Sequence, residues 1–149
     1  MSLSQRVDED LTQARRDRNQ PALRALGLLK TEIVRASKEA RTGGTGDDVV
    51  LRLVRREVKR REEAAGAYDA AGRTGSAADE RAEAEVLRAY LPPQMGDDEL
   101  EQEVRAVVEE LGATGPKDLG RVMKEARARL QDRAEAGDIA QVARRLLGP

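Results

Sequence analysis

Residues 80–94 read ERAEAEVLRAYLPPQ, and this stretch decides how the chain divides. Its first part is typical of a helix, because alanine, glutamate, arginine and leucine all have high helix propensity. Pro92 and Pro93 cannot continue that helix, since each lacks a backbone N–H and its ring clashes with the preceding turn. We therefore predict a boundary here, with an N-terminal helical domain over residues 1–91 and a C-terminal domain over residues 92–149.

The composition favours helices on both sides of this boundary. The chain has 149 residues, of which 39% are hydrophobic and 37% charged, with no Phe, no Trp and two Tyr. Its core must be built from aliphatic side chains, which bury less area each than aromatic ones. Alanine, arginine, glutamate and leucine are abundant, and runs of β-branched residues are rare. The predicted fold class is all-α, with no strand.

Apolar residues recur at spacings of three and four along seven segments, four before the proline pair and three after it. This spacing predicts seven amphipathic helices. The first is predicted over residues 4–19, and the others begin at Pro21, at Asp47 or Asp48, at Ser76, at Asp97 or Asp98, at Pro116 and after Asp138.

The two sets of helices differ in character. The N-terminal four are longer and more charged, which predicts an extended assembly of helical hairpins. The C-terminal three carry sharper apolar stripes, and we expect them to close into a small bundle. Residues 42–46, TGGTG, predict a flexible break between the second and third helices.

Several classes of chemistry are excluded by what the sequence lacks. It contains neither Cys nor His, which rules out Cys-His and Ser-His-Asp catalysis and the commonest metal ligands. The segment Gly43-Gly44-Thr45-Gly46 precedes two aspartates instead of the Lys-Ser/Thr pair of a phosphate-binding loop. Glu80, Glu83 and Glu85 do not share one helix face, so we expect no metal site there. We expect no cofactor.

No apolar run approaches the roughly 18 residues of a membrane span, and the N-terminus lacks the apolar segment of a signal peptide. We therefore expect a cytoplasmic protein without membrane contact.

Charge is unevenly distributed although the net charge is −1. Residues 15–61 carry fourteen basic and six acidic side chains, and residues 62–110 carry four basic and fourteen acidic ones. Within the basic segment, Arg52, Arg55, Arg56 and Lys59 follow helical spacing and line one side of the third helix. This side could meet a run of nucleic-acid phosphates. The alternative is that it is neutralised by the acidic fourth helix.

Several short motifs occur in an order that resembles the YqeY family. They are Leu23-Arg24 with Lys30 and Ile33, Lys59-Arg60-Arg61-Glu62 followed by Ala71-Gly72-Arg73, Glu80-Arg81-Ala82-Glu83 leading to Tyr90-Leu91-Pro92, and Gly120-Arg121-Val122-Met123-Lys124. Proteins of this family are similar to the tail region of the GatB subunit of tRNA-dependent amidotransferase. The resemblance implies an all-α fold with a four-helix and a three-helix part, and a role in holding tRNA.

Together, the charge pattern and the resemblance predict a non-catalytic, tRNA-binding or translation-associated protein. Two alternatives remain: an accessory to glutamine-dependent amide transfer, which would carry a carbon–nitrogen ligase label by association, and a protein-binding adaptor without RNA. The expected partners are tRNA and a translation or amidotransferase component. Intrinsic catalysis is not expected. The candidate nucleic-acid-binding residues are Arg52, Arg55, Arg56, Lys59, Arg60 and Lys124.

Overall fold

The computed structural model describes residues 1–41, 45–130 and 133–149. These residues form seven α-helices and one short 3₁₀ helix, with no strand among them, which confirms the all-α prediction. The helices are α1 (Leu3–Asp17), α2 (Gln20–Glu39), α3 (Asp47–Ala70), α4 (Thr74–Arg88), α5 (Asp97–Leu111), α6 (Leu119–Leu130) and α7 (Ala136–Leu147), and the 3₁₀ helix Pro116–Asp118 leads into α6. Of the break predicted over residues 42–46, residues 42–44 lie outside the described part.

The helix ends show where local signals act. Helix α1 ends two residues before the predicted Asn19, because Arg18 adopts the left-handed conformation and stops it. Asn19 instead caps α2, its side-chain oxygen accepting a hydrogen bond from the backbone N–H of Ala22 at 3.2 Å. Asp47 was expected as a possible cap but is the first residue of α3. Its carboxylate accepts a hydrogen bond from the N–H of Leu3 at 2.9 Å, joining the starts of α1 and α3.

The chain forms two compact units, Met1–Leu91 and Pro92–Pro149. In the first unit, all four helices contribute to one aliphatic core, which includes Val7, Leu29, Val54 and Leu87. The prediction of an extended hairpin assembly was therefore wrong for this unit. The buried members of this core are Val, Leu, Ile and Ala side chains together with Tyr90.

Tyr90 closes one end of this core just after α4. Its ring is buried, and its hydroxyl donates a hydrogen bond to the carboxylate of Asp10 on α1. The guanidinium of Arg6 lies 4.4 Å from the centre of the ring, an arrangement that favours a cation–π interaction. Burial and the Asp10 hydrogen bond both raise the pKa of Tyr90. The residue thus ties the end of α4 to α1.

The second unit has its own core, formed by α5, α6 and α7 around Val104, Val122, Ala126 and Ile139. Gly112 ends α5 in the left-handed conformation with φ 62°. Pro116, predicted to begin the sixth helix, begins the 3₁₀ turn before it.

Asp118 holds the connection between α5 and α6. Its carboxylate accepts hydrogen bonds from the N–H groups of Thr114 at 2.9 Å and Gly115 at 3.4 Å, and it pairs with Arg121. The hydrogen bond from Thr114, followed by that from Arg121, lowers the pKa of Asp118. A charged side chain thus organises this turn.

Candidate nucleic-acid interface

The predicted basic face lies along the solvent side of α3. Arg52, Arg56, Lys59 and Arg60 are exposed, and Arg55 is half-buried. The opposite side of the same helix packs into the core of the first unit through its apolar residues. The 3.6-residue repeat of the helix therefore keeps these five cations on the outer half of α3.

The cations on this face differ in their partners. Arg56 pairs with Glu32 on α2 at 3.0 Å, and Arg60 pairs with Glu57 on its own helix at 3.2 Å. Within the described residues, Arg52 and Lys59 form no ion pair. The alternative of pairing with the acidic fourth helix does not hold for Arg56 and Arg60, whose partners lie on α2 and α3.

A polar cleft of about 350 Å³ lies between α2 and α3 beside this face. Its charged lining consists of Glu32, Arg35 and Glu39 from α2, and Arg52, Arg56 and Arg60 from α3. Four of these six side chains are cationic, so the cleft has an excess of positive charge. Its sides come from residues distant in sequence, and therefore helical spacing within α3 alone does not reveal it.

Lys124, the remaining candidate, belongs to the second unit. It is an exposed residue of α6, and within the described part of the chain it forms no ion pair. Another cation of the same motif, Arg121, pairs with Asp118 at 2.9 Å. The motif Gly120–Lys124 therefore combines one residue that stabilises a turn with one that is open to solvent.

The structure also contains buried charges that the sequence analysis did not select. Glu57, Arg61 and Glu83 are only 3%, 5% and 7% exposed, and lie where α3 packs on α4. Arg61 Nη1 donates to Glu57 Oε2 at 2.8 Å, whereas Arg61 Nε has no hydrogen-bond partner among the described residues. A signal was present: Glu57 and Arg61 occupy positions within the apolar repeat Val50, Val54, Val58 and Ala65 of α3.

Burial and the neighbouring charges shift the pKa of Glu83. Burial is the largest influence and raises the pKa, and the nearby carboxylates of Glu80 and Asp79 raise it further. Arg61 and Arg24 oppose the shift without cancelling it. Glu83 is therefore a carboxylate held in an unfavourable environment when charged.

The three glutamates considered for a metal do not converge. Glu83 is buried towards α3, whereas Glu85 is exposed and pairs with Arg88. Among the described residues, no group of three or more carboxylates lies close enough to hold a metal ion. Within that same part of the chain, no helix has the length and apolar character needed to cross a membrane.

The fold and the site define a class: an all-α protein of two compact units, with a cationic helix face on the first. The family model for Yqey-like proteins matches residues 4–147, so the chain belongs to the YqeY-like family. The predicted resemblance is thereby confirmed.

The chain is also similar to the protein called "Altered inheritance of mitochondria protein 41, mitochondrial" from Pyrenophora tritici-repentis. The two are 29% identical over 131 residues, which cover 87% of this chain and 71% of the relative. The name assigns that relative to mitochondria. A cytoplasmic location for this chain stays a prediction.

Proposed function

We propose that this protein binds folded RNA, with tRNA as the expected ligand, through backbone phosphates that meet the outer face of α3. The observation that carries the proposal is the pair of exposed cations Arg52 and Lys59, which form no ion pair within the described residues. They lie seven residues apart, or about 10.5 Å along the helix axis. Neither has to give up a carboxylate to contact a phosphate.

The chemistry of the chain favours phosphate and shape recognition over base reading. The sequence has two tyrosines and no other aromatic residue, and stacking of bases depends on aromatic side chains. Folded RNA can be bound through its backbone and its A-form shape without reading bases. The resemblance to the tail region of the amidotransferase GatB subunit favours tRNA among folded RNAs.

The test is a double substitution with a matched control. We expect Arg52→Gln/Lys59→Gln to weaken tRNA binding and to make the salt dependence shallower. Each lost phosphate contact lowers the slope of log K against log salt by about 0.7–0.9, so the pair should lower it by about 1.5. The control Arg15→Gln/Arg16→Gln removes the same charge from exposed positions of α1 and should leave the slope unchanged.

Filter binding of labelled tRNA at several salt concentrations measures both quantities, and far-UV circular dichroism measures the melting temperature. Gln has nearly the helix propensity of Arg and Lys, so the fold should survive. Equal slopes for the two double variants would contradict the proposal. Equal affinity for tRNA and for a DNA duplex of the same charge would contradict recognition of folded RNA.

Further assays test the two other functions predicted from the sequence. We propose that the protein has no amidotransferase or ATPase activity of its own, so glutamine, ATP, magnesium and mischarged tRNA should give no amidated product. Product that responds to point substitutions in this chain would make it an enzyme. A protein-binding adaptor would show no salt-dependent tRNA binding. Affinity capture with this protein as bait would then yield a translation or amidotransferase component.

A further inference from the structure

We propose that Glu32 occupies the α2–α3 cleft as an internal substitute for phosphate, and that an RNA phosphate displaces it from Arg35 and Arg56. This inference rests on the proposed function and describes how the same surface is regulated. In the free protein, the carboxylate of Glu32 would thus occupy Arg35 and Arg56 in place of a phosphate. The RNA would have to compete with Glu32 for the two guanidinium groups.

The contacts of Glu32 are those of a bridging ligand. Its Oε2 accepts a hydrogen bond from Arg56 Nη2 at 3.0 Å, and its Oε1 accepts one from Arg35 Nη1 at 3.1 Å. Each carboxylate oxygen therefore binds one arginine. The Glu32 side chain is 20% exposed, whereas those of Arg35 and Arg56 are 61% and 50% exposed. The carboxylate lies deeper than the cations that hold it.

A phosphate group suits this arrangement because guanidinium groups bind carboxylate and phosphate with the same planar fork of N–H donors. Arg52 lines the same cleft and has no ion pair among the described residues. A phosphate that replaced Glu32 would gain Arg52 as a third cation, which the shorter carboxylate does not contact. Arg60 also lines the cleft but is held by Glu57 at 3.2 Å.

The strength of the competition can be bounded. Breaking an exposed ion pair costs roughly a factor of 1.4 to 5 in an equilibrium constant. Glu32 makes two such pairs, so its displacement should weaken RNA binding by roughly two- to 25-fold. This is a modest effect that leaves binding reversible and makes the cleft more selective for a ligand with several phosphates.

The chain supplies a matched pair of substitutions for the test. Glu39 lines the same cleft on the same helix, is exposed, and forms no ion pair within the described residues. Glu32→Gln and Glu39→Gln therefore each remove one negative charge from the cleft, and only the first releases two arginines. We expect Glu32→Gln to tighten tRNA binding more than Glu39→Gln does, by roughly two- to 25-fold, with little change in the salt slope, because the same phosphate contacts form once Glu32 is displaced. Glu39→Gln should tighten it about twofold with an unchanged slope.

A background substitution separates release of the arginines from a simple change in charge. In the Arg35→Gln/Arg56→Gln protein, Glu32 has no guanidinium to hold, so adding Glu32→Gln should change tRNA affinity by no more than Glu39→Gln does. Glu32→Asp is a second variant that keeps the charge but is one carbon too short to bridge both arginines. It should also tighten binding, which a pure charge effect would not produce.

The outcomes of these experiments distinguish failure of the Glu32 inference from failure of the proposed RNA-binding function. If Arg52→Gln/Lys59→Gln weakens tRNA binding but Glu32→Gln behaves like Glu39→Gln, the internal substitute is wrong and the proposed function stands. If neither the unmodified protein nor Glu32→Gln binds tRNA, both are wrong. Competition by polyglutamate as strong as by tRNA would point to an acidic protein in the cleft and overturn the RNA assignment. Inorganic phosphate should compete only at far higher concentration, because it offers one phosphate.

Discussion

Arg61 shows how a single residue can place a polar cluster inside an aliphatic core. It lies on the buried side of α3 and pairs with Glu57, and its charge also acts on Glu83 of α4. Burying charges carries a desolvation cost that only good geometry offsets. One atom of this cluster, Arg61 Nε, lacks a partner among the described residues. The cluster is thus a specific contact between α3 and α4 with a small or unfavourable net contribution to stability.

We expect Glu83→Gln and Arg61→Met to change the free energy of unfolding in opposite directions. The raised pKa of Glu83 means that its protonated form favours the folded state. Its contribution to stability is complete below the usual value of 4.5 and is lost as pH rises through the folded pKa. Glu83→Gln, which imitates the protonated form, should therefore increase the free energy of unfolding near pH 7 and match the unmodified protein below about pH 4.

Arg61→Met should lower the free energy of unfolding by about 3–5 kcal/mol at pH 7, because it leaves buried carboxylates without their cation. Urea unfolding followed by far-UV circular dichroism between pH 3 and 8 measures both variants. A Glu83→Gln protein less stable than the unmodified one at pH 7 would show that the carboxylate contributes favourable contacts as an anion.

The helices illustrate how much of this fold was accessible from sequence. Their existence followed from apolar spacing and from Pro, Gly and Asp residues that act on their immediate neighbours. Gly112 is an example, since it ends α5 in the conformation that glycine tolerates best. The cleft charge Glu32 was not accessible, because its partner Arg56 lies 24 residues away on another helix. The end of α1 was predicted two residues too late, at Asn19. Arg18 ends the helix with φ 54°, and a non-glycine residue gives no clear local signal for that conformation.

Substitution by alanine at two glycines of the second unit tests the backbone conformations described for α5 and α6. Gly112 has φ 62°, and Gly112→Ala should lower the free energy of unfolding by about 1–2 kcal/mol, although nothing lies within 4 Å of the added Cβ. Gly120 lies in α6 with equally open surroundings, and Gly120→Ala should raise it by about 0.5 kcal/mol. Urea unfolding gives both values. Destabilisation of similar size at both sites would indicate contacts that the structure does not contain.

At the scale of the molecule, each unit has a separate aliphatic core. The second unit also closes on itself near its start, where the N–H of Met95 donates to the carbonyl of Arg133 at 2.9 Å and Arg133 pairs with Glu99 at 2.8 Å. The prolines at 92 and 93 stand at the first residues of this unit. The predicted domains 1–91 and 92–149 can therefore be proposed as independent folding units.

We predict that residues 92–149, produced alone, fold into a helical bundle with cooperative urea unfolding. Domains of about 60 residues are only marginally stable, so we expect a free energy of unfolding of about 3–5 kcal/mol. Residues 1–91 serve as the companion fragment. Limited proteolysis of the whole chain should cut near residues 43–46 or 91–96 before it cuts within α5. A non-cooperative fragment 92–149, or early cleavage inside α5, would contradict independent folding.

The position of Tyr90 has a consequence for how this protein can be observed. Tyr90 and Tyr68, the chain's two tyrosines, both belong to the first unit, and the sequence has no tryptophan. Near-ultraviolet absorbance and intrinsic fluorescence therefore arise from chromophores in Met1–Leu91, and Pro92–Pro149 contains none. The second unit, which carries Lys124, therefore contributes no fluorophore to a titration read by tyrosine emission. A tryptophan at half-buried Leu146 would give the second unit a signal of its own.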